Sequence, residues 1–206
     1  MTPYGRWSAR VYSLLIDPLL RALRAKITEI VVEEGITTAL DIACATGAQC
    51  RSLQRAGIAA TGVDLSEAMI ATAMRISPPQ VRYVIGSALD LPFPAGAFTA
   101  AILSLCLHEH PFSEQEKMVK EALRVISPGG VLILAEYSPP TRPTPTWMLI
   151  NLIERLAGKE HFRNFRAFVR AGGVNRLLRF TPQPERRVPI FGGTITVIVA
   201  KKPLDT

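Results

Sequence analysis

Apolar residues recur at helical spacing from the start of the chain. Over residues 4–30, Val11, Leu14, Leu15, Leu19, Leu20, Leu23 and Ile27 fall three or four apart, which predicts a helix that Pro18 divides in two by removing an amide donor. Short apolar runs then alternate with helical patterns: strand 37–42, helix 48–56, strand 59–64, helix 66–76 and strand 80–85. Ser66 suits the N-cap of the second of these helices, and Pro78-Pro79 closes it. A turn-rich connection, 86–98, leads into the apolar run 100–107. Ser113 to Glu116 has capping-box spacing and opens a helix to residue 126; Ser127-Pro128-Gly129-Gly130 stops it and launches strand 131–135. Strands alternating with helices predict a parallel sheet with right-handed crossovers and helices on both faces.

Beyond Glu136 the pattern changes. Pro139, Pro140, Pro143 and Pro145 form a stiff linker into an almost wholly apolar helix, 147–156. A basic amphipathic helix follows at 162–178, interrupted near Gly172-Gly173. Strands at about 185–191 and 194–200 then meet as a hairpin at Gly192-Gly193. There is no internal repeat, so a single domain is expected over 1–206, with 1–34 as an N-terminal helical cap and 139–180 as a helical insertion on the substrate side.

At 206 residues and 48% hydrophobic content, the chain can bury one sizeable core. No apolar stretch reaches the roughly 18 residues that span a bilayer. The polar segment 1–10 predicts no signal peptide, and a cytoplasmic location is expected. Cys44, Cys50 and Cys106 lack zinc-site spacing and read as reduced thiols. The net charge of +7 is concentrated: residues 151–187 hold nine Arg/Lys against three acids. That basic segment fits an anionic headgroup, a carboxylated substrate or peripheral contact with the inner face of a membrane; a solvated helix face explains it equally well. Nothing interleaves aromatic and basic residues on a strand surface, so no nucleic-acid partner is expected.

The densest chemical signal is T-T-A-L-D-I-A-C-A-T-G-A-Q, residues 37–49, in which an apolar run ends in Asp41 and passes Ala43, Ala45 and Gly47 before a helix begins. Small side chains there let a ligand approach the backbone. A second apolar run ends in Asp64, suited to accepting hydrogen bonds from two ribose hydroxyls. A dinucleotide would need G-x-G-x-x-G, and Asp41 would repel its pyrophosphate. The same acid suits a ligand bearing an ammonium group, such as the amino-acid part of S-adenosylmethionine. A nicotinamide oxidoreductase also fails for want of a Tyr-x-x-x-Lys pair.

L-D-I-A-C-A-T-G (40–47), G-V-D-L-S-E-A-M-I (62–70), G-S-A-L-D-L-P-F-P (86–94), L-H-E-H (107–110) and L-R-V-I-S-P-G-G-V-L (123–132) resemble, in order, the motifs of class I S-adenosylmethionine-dependent methyltransferases. The likeness is to the subgroup of ubiquinone/menaquinone-biosynthesis and small phospholipid methyltransferases. It covers roughly residues 4–136, and the strand at 192–200 also fits. The resemblance implies an α/β, three-layer Rossmann-like fold whose seven-stranded, mostly parallel sheet has its last strand antiparallel. It also implies roles: Ala43, Ala45 and Gly47 hold the methionine part and Asp64 the ribose. Leu65 and Met69 pack on the adenine, Ser87, Ala88 and Leu89 border its edge, and Ser104 lies beside the sulfonium. Tyr4, with Trp7 and Tyr12, is either a flap over the ligand or a staple onto the core. The family usually has glycine at positions 43 and 45 and an acid at 87, so cofactor affinity is the property these substitutions address.

Methyl transfer from a sulfonium needs alignment and exclusion of water, and a base only for a protonated nucleophile. His108, Glu109 and His110 follow an apolar strand and should face the cleft, with His108 orienting or deprotonating the acceptor, or serving structure alone. No metal is expected, because a His-x-His site needs a third ligand, for which only His161 and scattered acids remain. Trp147, Phe162, Arg166 and His110 are the candidate acceptor residues, and the acceptor is expected to be small and lipophilic or amphiphilic. A module that binds the cofactor without turnover is the alternative.

Overall fold

The computed structural model describes residues 20–142 and 144–204. Seven strands form one sheet in the order β3-β2-β1-β4-β5-β7-β6: β1 (Thr38–Ile42), β2 (Ala59–Asp64), β3 (Arg82–Ile85), β4 (Phe98–Ser104), β5 (Ile126–Tyr137), β6 (Pro184–Ile190) and β7 (Ile195–Lys201). The first five run parallel; β7 lies antiparallel between β5 and β6. Strand order reverses between β1 and β4, the switch point beyond whose strand tips open α/β sheets bind ligands. The helices are α1 (Arg21–Glu33), α2 (Ala48–Arg55), α3 (Glu67–Ile76), α4 (Phe112–Val125), α5 (Pro145–Leu156), α6 (Lys159–Arg170) and the short α7 (Val174–Leu177).

Central strands are apolar on both faces because helices cover both. Ala39, Leu40, Ile42, Ala100 to Leu103 and Leu132 to Ala135 are fully buried, joined by Leu23, Ile27 and Ile30 of α1. Thr38 and Thr99 exchange backbone-to-hydroxyl hydrogen bonds of 3.1 and 3.0 Å, which fix the register of β1 against β4 at their entry ends. Ser66 caps α3 by accepting from the Met69 amide, as its sequence position predicts.

Of the boundaries that differ from the sequence reading, two have a visible cause. Helix α4 starts at Phe112 with Pro111 at the N-cap, and no side chain makes the capping-box bond expected of Ser113. Pro111 fixes the entry geometry itself, and Gln115 reaches back instead to the His110 carbonyl. Strand β5 begins at Ile126, five residues early, because the Ser127–Gly130 stretch bulges within it: Phe98 faces Ile126, yet Ala100 already faces Val131. Gly130 admits this bulge, since a Cβ there would lie 2.7 Å from the Thr99 carbonyl.

Candidate active site

The tip of β1, the β1–α2 turn, the start of α1 and the end of β4 line a cleft open to solvent on one side, with Asp64 at the neighbouring β2 tip. Its lining includes Asp41, Ala43, Ala45, Gln49 and Ser104. Asp41 is 4% exposed and accepts a weak thiol hydrogen bond from Cys50, Sγ to Oδ2 3.4 Å. Burial raises its pKa from 3.8 to about 7, against a smaller downward pull from Cys50 and from the charge of Arg24. Gln49 directs its amide nitrogen at the Thr28 hydroxyl, while its Oε1 is buried without a hydrogen-bond partner among the described residues. A buried carboxylate and an orphaned amide oxygen in one cleft favour a ligand that brings donors and positive charge.

The turn between β1 and α2 is backbone-strained. Ala43, Ala45 and Gly47 all adopt left-handed φ, at 58°, 48° and 75°. Only glycine does this without cost; each alanine stores about 1–2 kcal/mol. Asp64 holds the turn open: its Oδ2 accepts from the Ala45 amide at 2.9 Å and its Oδ1 from the Ser66 amide at 2.8 Å. Burial raises the Asp64 pKa, with these two amides opposing it. Each oxygen retains a lone pair for a further donor.

Gly47 has a second reason to be glycine. A Cβ there would lie 2.1 Å from the Tyr83 hydroxyl, and one on Gly62 would lie 2.8 Å from the same ring. Tyr83 donates to the Gly47 carbonyl at 3.3 Å and bonds Ser77 at 2.8 Å. The smallness of Gly47 therefore accommodates an internal ring, where the sequence suggested only ligand approach. Tyr83 lies 36 residues away, and no local pattern signals it.

The remaining expected cofactor residues fall as follows. Leu65 is 58% exposed beside Asp64, whereas Met69 is buried in the core. Ser87 caps its own turn, accepting from the Leu89 amide at 3.1 Å, and Ala88 and Leu89 are partly buried behind it. Arg124 and Glu121 of α4 anchor this connection through the Leu91 and Phe93 backbone. Tyr4 lies outside the described residues.

His108 does not face the open cleft. A short 3₁₀ turn (Leu107–Glu109) carries it inward until it is 2% exposed, with Nδ1 2.9 Å from Glu136 and Nε2 3.5 Å from Glu154. Burial alone would lower its pKa, but Glu136 and then Glu154 outweigh that and hold it well above the ordinary value. Glu136 also accepts from the Leu107 amide at 2.7 Å. Glu154 accepts from the Tyr137 hydroxyl at 2.7 Å and contacts His161 Nε2. Despite its own burial, Glu154 is kept below the carboxylate range by hydrogen bonds from His108 and His161. Sequence reading missed Glu136, Glu154 and Tyr137, although Glu136 does stand out as an acid ending an apolar strand.

Glu154 also inverts α5. It is the buried residue of that helix, while Met148, Leu149, Leu152 and Leu156 are 54–78% exposed. Trp147 packs edge-on to Tyr137, with ring centroids 6.1 Å apart, and Phe162 stacks on Phe165 at 6.1 Å. Arg163, Arg166 and Arg170 share the exposed face of α6 opposite Phe165, with Arg166 5.8 Å above the Phe162 ring. His110 bonds Glu114 at 2.8 Å and lines a second cavity with Phe112, Gln115, Phe168 and Arg176. No helix among the described residues is long and apolar enough to cross a membrane.

With a switch-point cleft, a strand-tip acid pair and the seven-stranded order in hand, the fold is that of class I S-adenosylmethionine-dependent methyltransferases. Residues 40–134 match the methyltransferase domain family. Within that class, similarity points to the quinone methyltransferase subgroup. The chain is 34% identical over 136 residues to demethylmenaquinone methyltransferase of Tropheryma whipplei (strain Twist), covering 64% of this chain and 54% of that protein. It is 32% identical over 105 residues to 2-methyl-6-phytyl-1,4-hydroquinone methyltransferase of Synechocystis sp. (strain ATCC 27184 / PCC 6803 / Kazusa), covering 50% of this chain and 32% of that one. The chain spans about half the length of the curated demethylmenaquinone relatives it matches. Among solved structures, an O-methyltransferase family protein from Burkholderia thailandensis superposes with a TM-score of 0.75 at 16% identity, covering 97% of this chain and 60% of that chain, which shows the shared fold. S-adenosylmethionine is the cofactor of the class.

Proposed function

We propose that the chain transfers a methyl group from S-adenosylmethionine to a small lipophilic acceptor of the quinol type. The observation that carries this reading is the buried Asp41 at the β1 tip, in a cleft it shares with the unpartnered Gln49 Oε1. When bound, the cofactor supplies an electrophilic methyl group on a sulfonium. Asp41 takes its ammonium and Ala43 to Gly47 its carboxylate side. The free lone pairs of Asp64 take the ribose hydroxyls, Leu65 covers the adenine while Met69 supports that wall from within, and the turn Ser87, Ala88, Leu89 borders its edge. Ser104 flanks the sulfur. The quinone-related names of the relatives support a lipophilic acceptor.

His108 acts as a positioning residue: with both ring nitrogens aimed at carboxylates, it holds the 107–110 turn and does not exchange a proton with the acceptor. His110 lines the second cavity with Nδ1 engaged by Glu114, which leaves Nε2 for an acceptor hydroxyl. Trp147, Phe162 and Arg166, carried on the insertion helices, would meet the acceptor from that side. The outward stripe of Met148, Leu149, Leu152 and Leu156, beside the arginines of α6, lets the protein rest on an anionic membrane that holds such an acceptor.

S-adenosylhomocysteine release measured across quinol, phospholipid, thiol and small-amine acceptors tests the reading. Turnover confined to quinols supports it; turnover with water-soluble amines or thiols alone overturns the acceptor class. The strained alanines and the self-capped Ser87 favour a second reading, a cofactor-binding module without turnover. Calorimetric binding of S-adenosylmethionine with no release on any acceptor would select it.

A further inference from the structure

A second chemical centre lies beside the cleft, built from three parts of the chain. His108 and Glu109 come from the turn after β4, Glu136 and Tyr137 from the end of β5, and Glu154 and His161 from α5 and α6. Donor atoms of His108, Glu109 and His161 all lie within 4.8 Å of one another. Glu154 Oε2 touches both imidazoles, 3.5 Å from His108 Nε2 and in contact with His161 Nε2. We propose that His108, Glu109 and His161 bind a divalent transition-metal cation of the zinc class, with Glu154 beside both imidazoles.

Three features support this. Two imidazoles and a carboxylate are a donor set that zinc-class cations favour, at about 2.0–2.2 Å per bond, and these donor atoms already lie within 4.8 Å of one another. The surrounding contacts match those of a metal site: Glu136 accepts from His108 Nδ1 at 2.9 Å, which directs Nε2 inward, and Tyr137 steadies the outer oxygen of Glu154 at 2.7 Å. Glu136, Glu154 and Glu109 surround the two imidazoles with carboxylates, which would offset the charge of a bound cation. Rings of Tyr137 and Phe165, 4.7 and 6.0 Å from the His108 ring, exclude water around it. A cation here would fasten the α5–α6 insertion to the strand tips.

The test uses the full chain, stripped with chelator and dialysed against zinc chloride, with zinc counted by mass spectrometry. About one zinc per chain is expected, together with a higher thermal midpoint than the stripped protein. His161→Ala should reduce zinc affinity by at least about a hundredfold, and Glu136→Gln by about 10–100-fold, the range for the group that orients a ligand. His110→Ala, which removes the histidine outside the cluster, should leave the count unchanged. Cobalt substitution adds a readout independent of folding, since low-symmetry coordination by these donors gives visible absorption bands that His161→Ala abolishes. Absence of stoichiometric zinc, or equal zinc uptake by a folded His161→Ala variant, overturns the proposal.

Discussion

In the proposed reading, Asp41 couples cofactor binding to pH and sets it against stability. Its pKa rises from 3.8 to about 7 on folding, chiefly through burial. At 1.36 kcal/mol per unit, holding this carboxylate ionised in the unliganded protein costs up to about 4 kcal/mol. Below pH 3.8 both folded and unfolded forms are protonated, and Asp41 has no effect. Between 3.8 and about 7 the folded form retains a proton that the unfolded chain has lost, so stability falls as pH rises. Above 7 the full cost applies. Asp41→Asn should therefore stabilise the unliganded protein at pH 8 by about 2–4 kcal/mol, with little gain at pH 4. It should also weaken S-adenosylmethionine binding. Wild-type affinity should fall up to about tenfold per unit as pH drops below 7, and decline again above roughly pH 8 as the ligand α-amino group loses its proton. Urea unfolding of both proteins at pH 4 and 8, with calorimetry across the range, measures both arms. A variant no more stabilised at pH 8 than at pH 4, or a cofactor affinity flat from pH 5.5 to 7, would refute the assignment.

Three further outcomes are expected. Ala43→Gly and Ala45→Gly should each raise the unfolding free energy by up to about 1 kcal/mol, the relief of left-handed strain less the added chain entropy of glycine; a loss of stability in either would contradict the strain. Gly47→Ala should destabilise by at least about 1–3 kcal/mol, with partial rescue by Tyr83→Ala; a Gly47→Ala protein as stable as wild type would show that the ring moves freely. His108→Ala leaves Glu136 and Glu154 buried beside a hole, so a loss of about 3–5 kcal/mol is expected from denaturant titration, and a loss below about 1 kcal/mol would show that the cluster holds nothing in place.

The parallel strands were legible because both faces are covered and their apolar runs are nearly unbroken, as in Ala100 to Leu103. Asp41 and Asp64 were legible as neighbours because parallel register sets Asp41 opposite Gly62, two residues before Asp64. What stayed hidden depends on partners far apart in the chain. Tyr83 closing over Gly47 has no local signature, and the His108 cluster gathers acids 28 and 46 residues downstream. After Ser104 the strand gives way to Leu105 with a left-handed φ of 52° and then to the 3₁₀ turn that buries His108, a departure that strand alternation could not anticipate.

Helix α5 is fastened through Glu154 while four aliphatic side chains look outward. Its detachment would uncover less oily surface than the release of an ordinary amphipathic helix, so the heat-capacity change of local opening should be small. The helix would then loosen when its hydrogen bonds weaken, with comparatively little dependence on temperature through solvation of hydrocarbon.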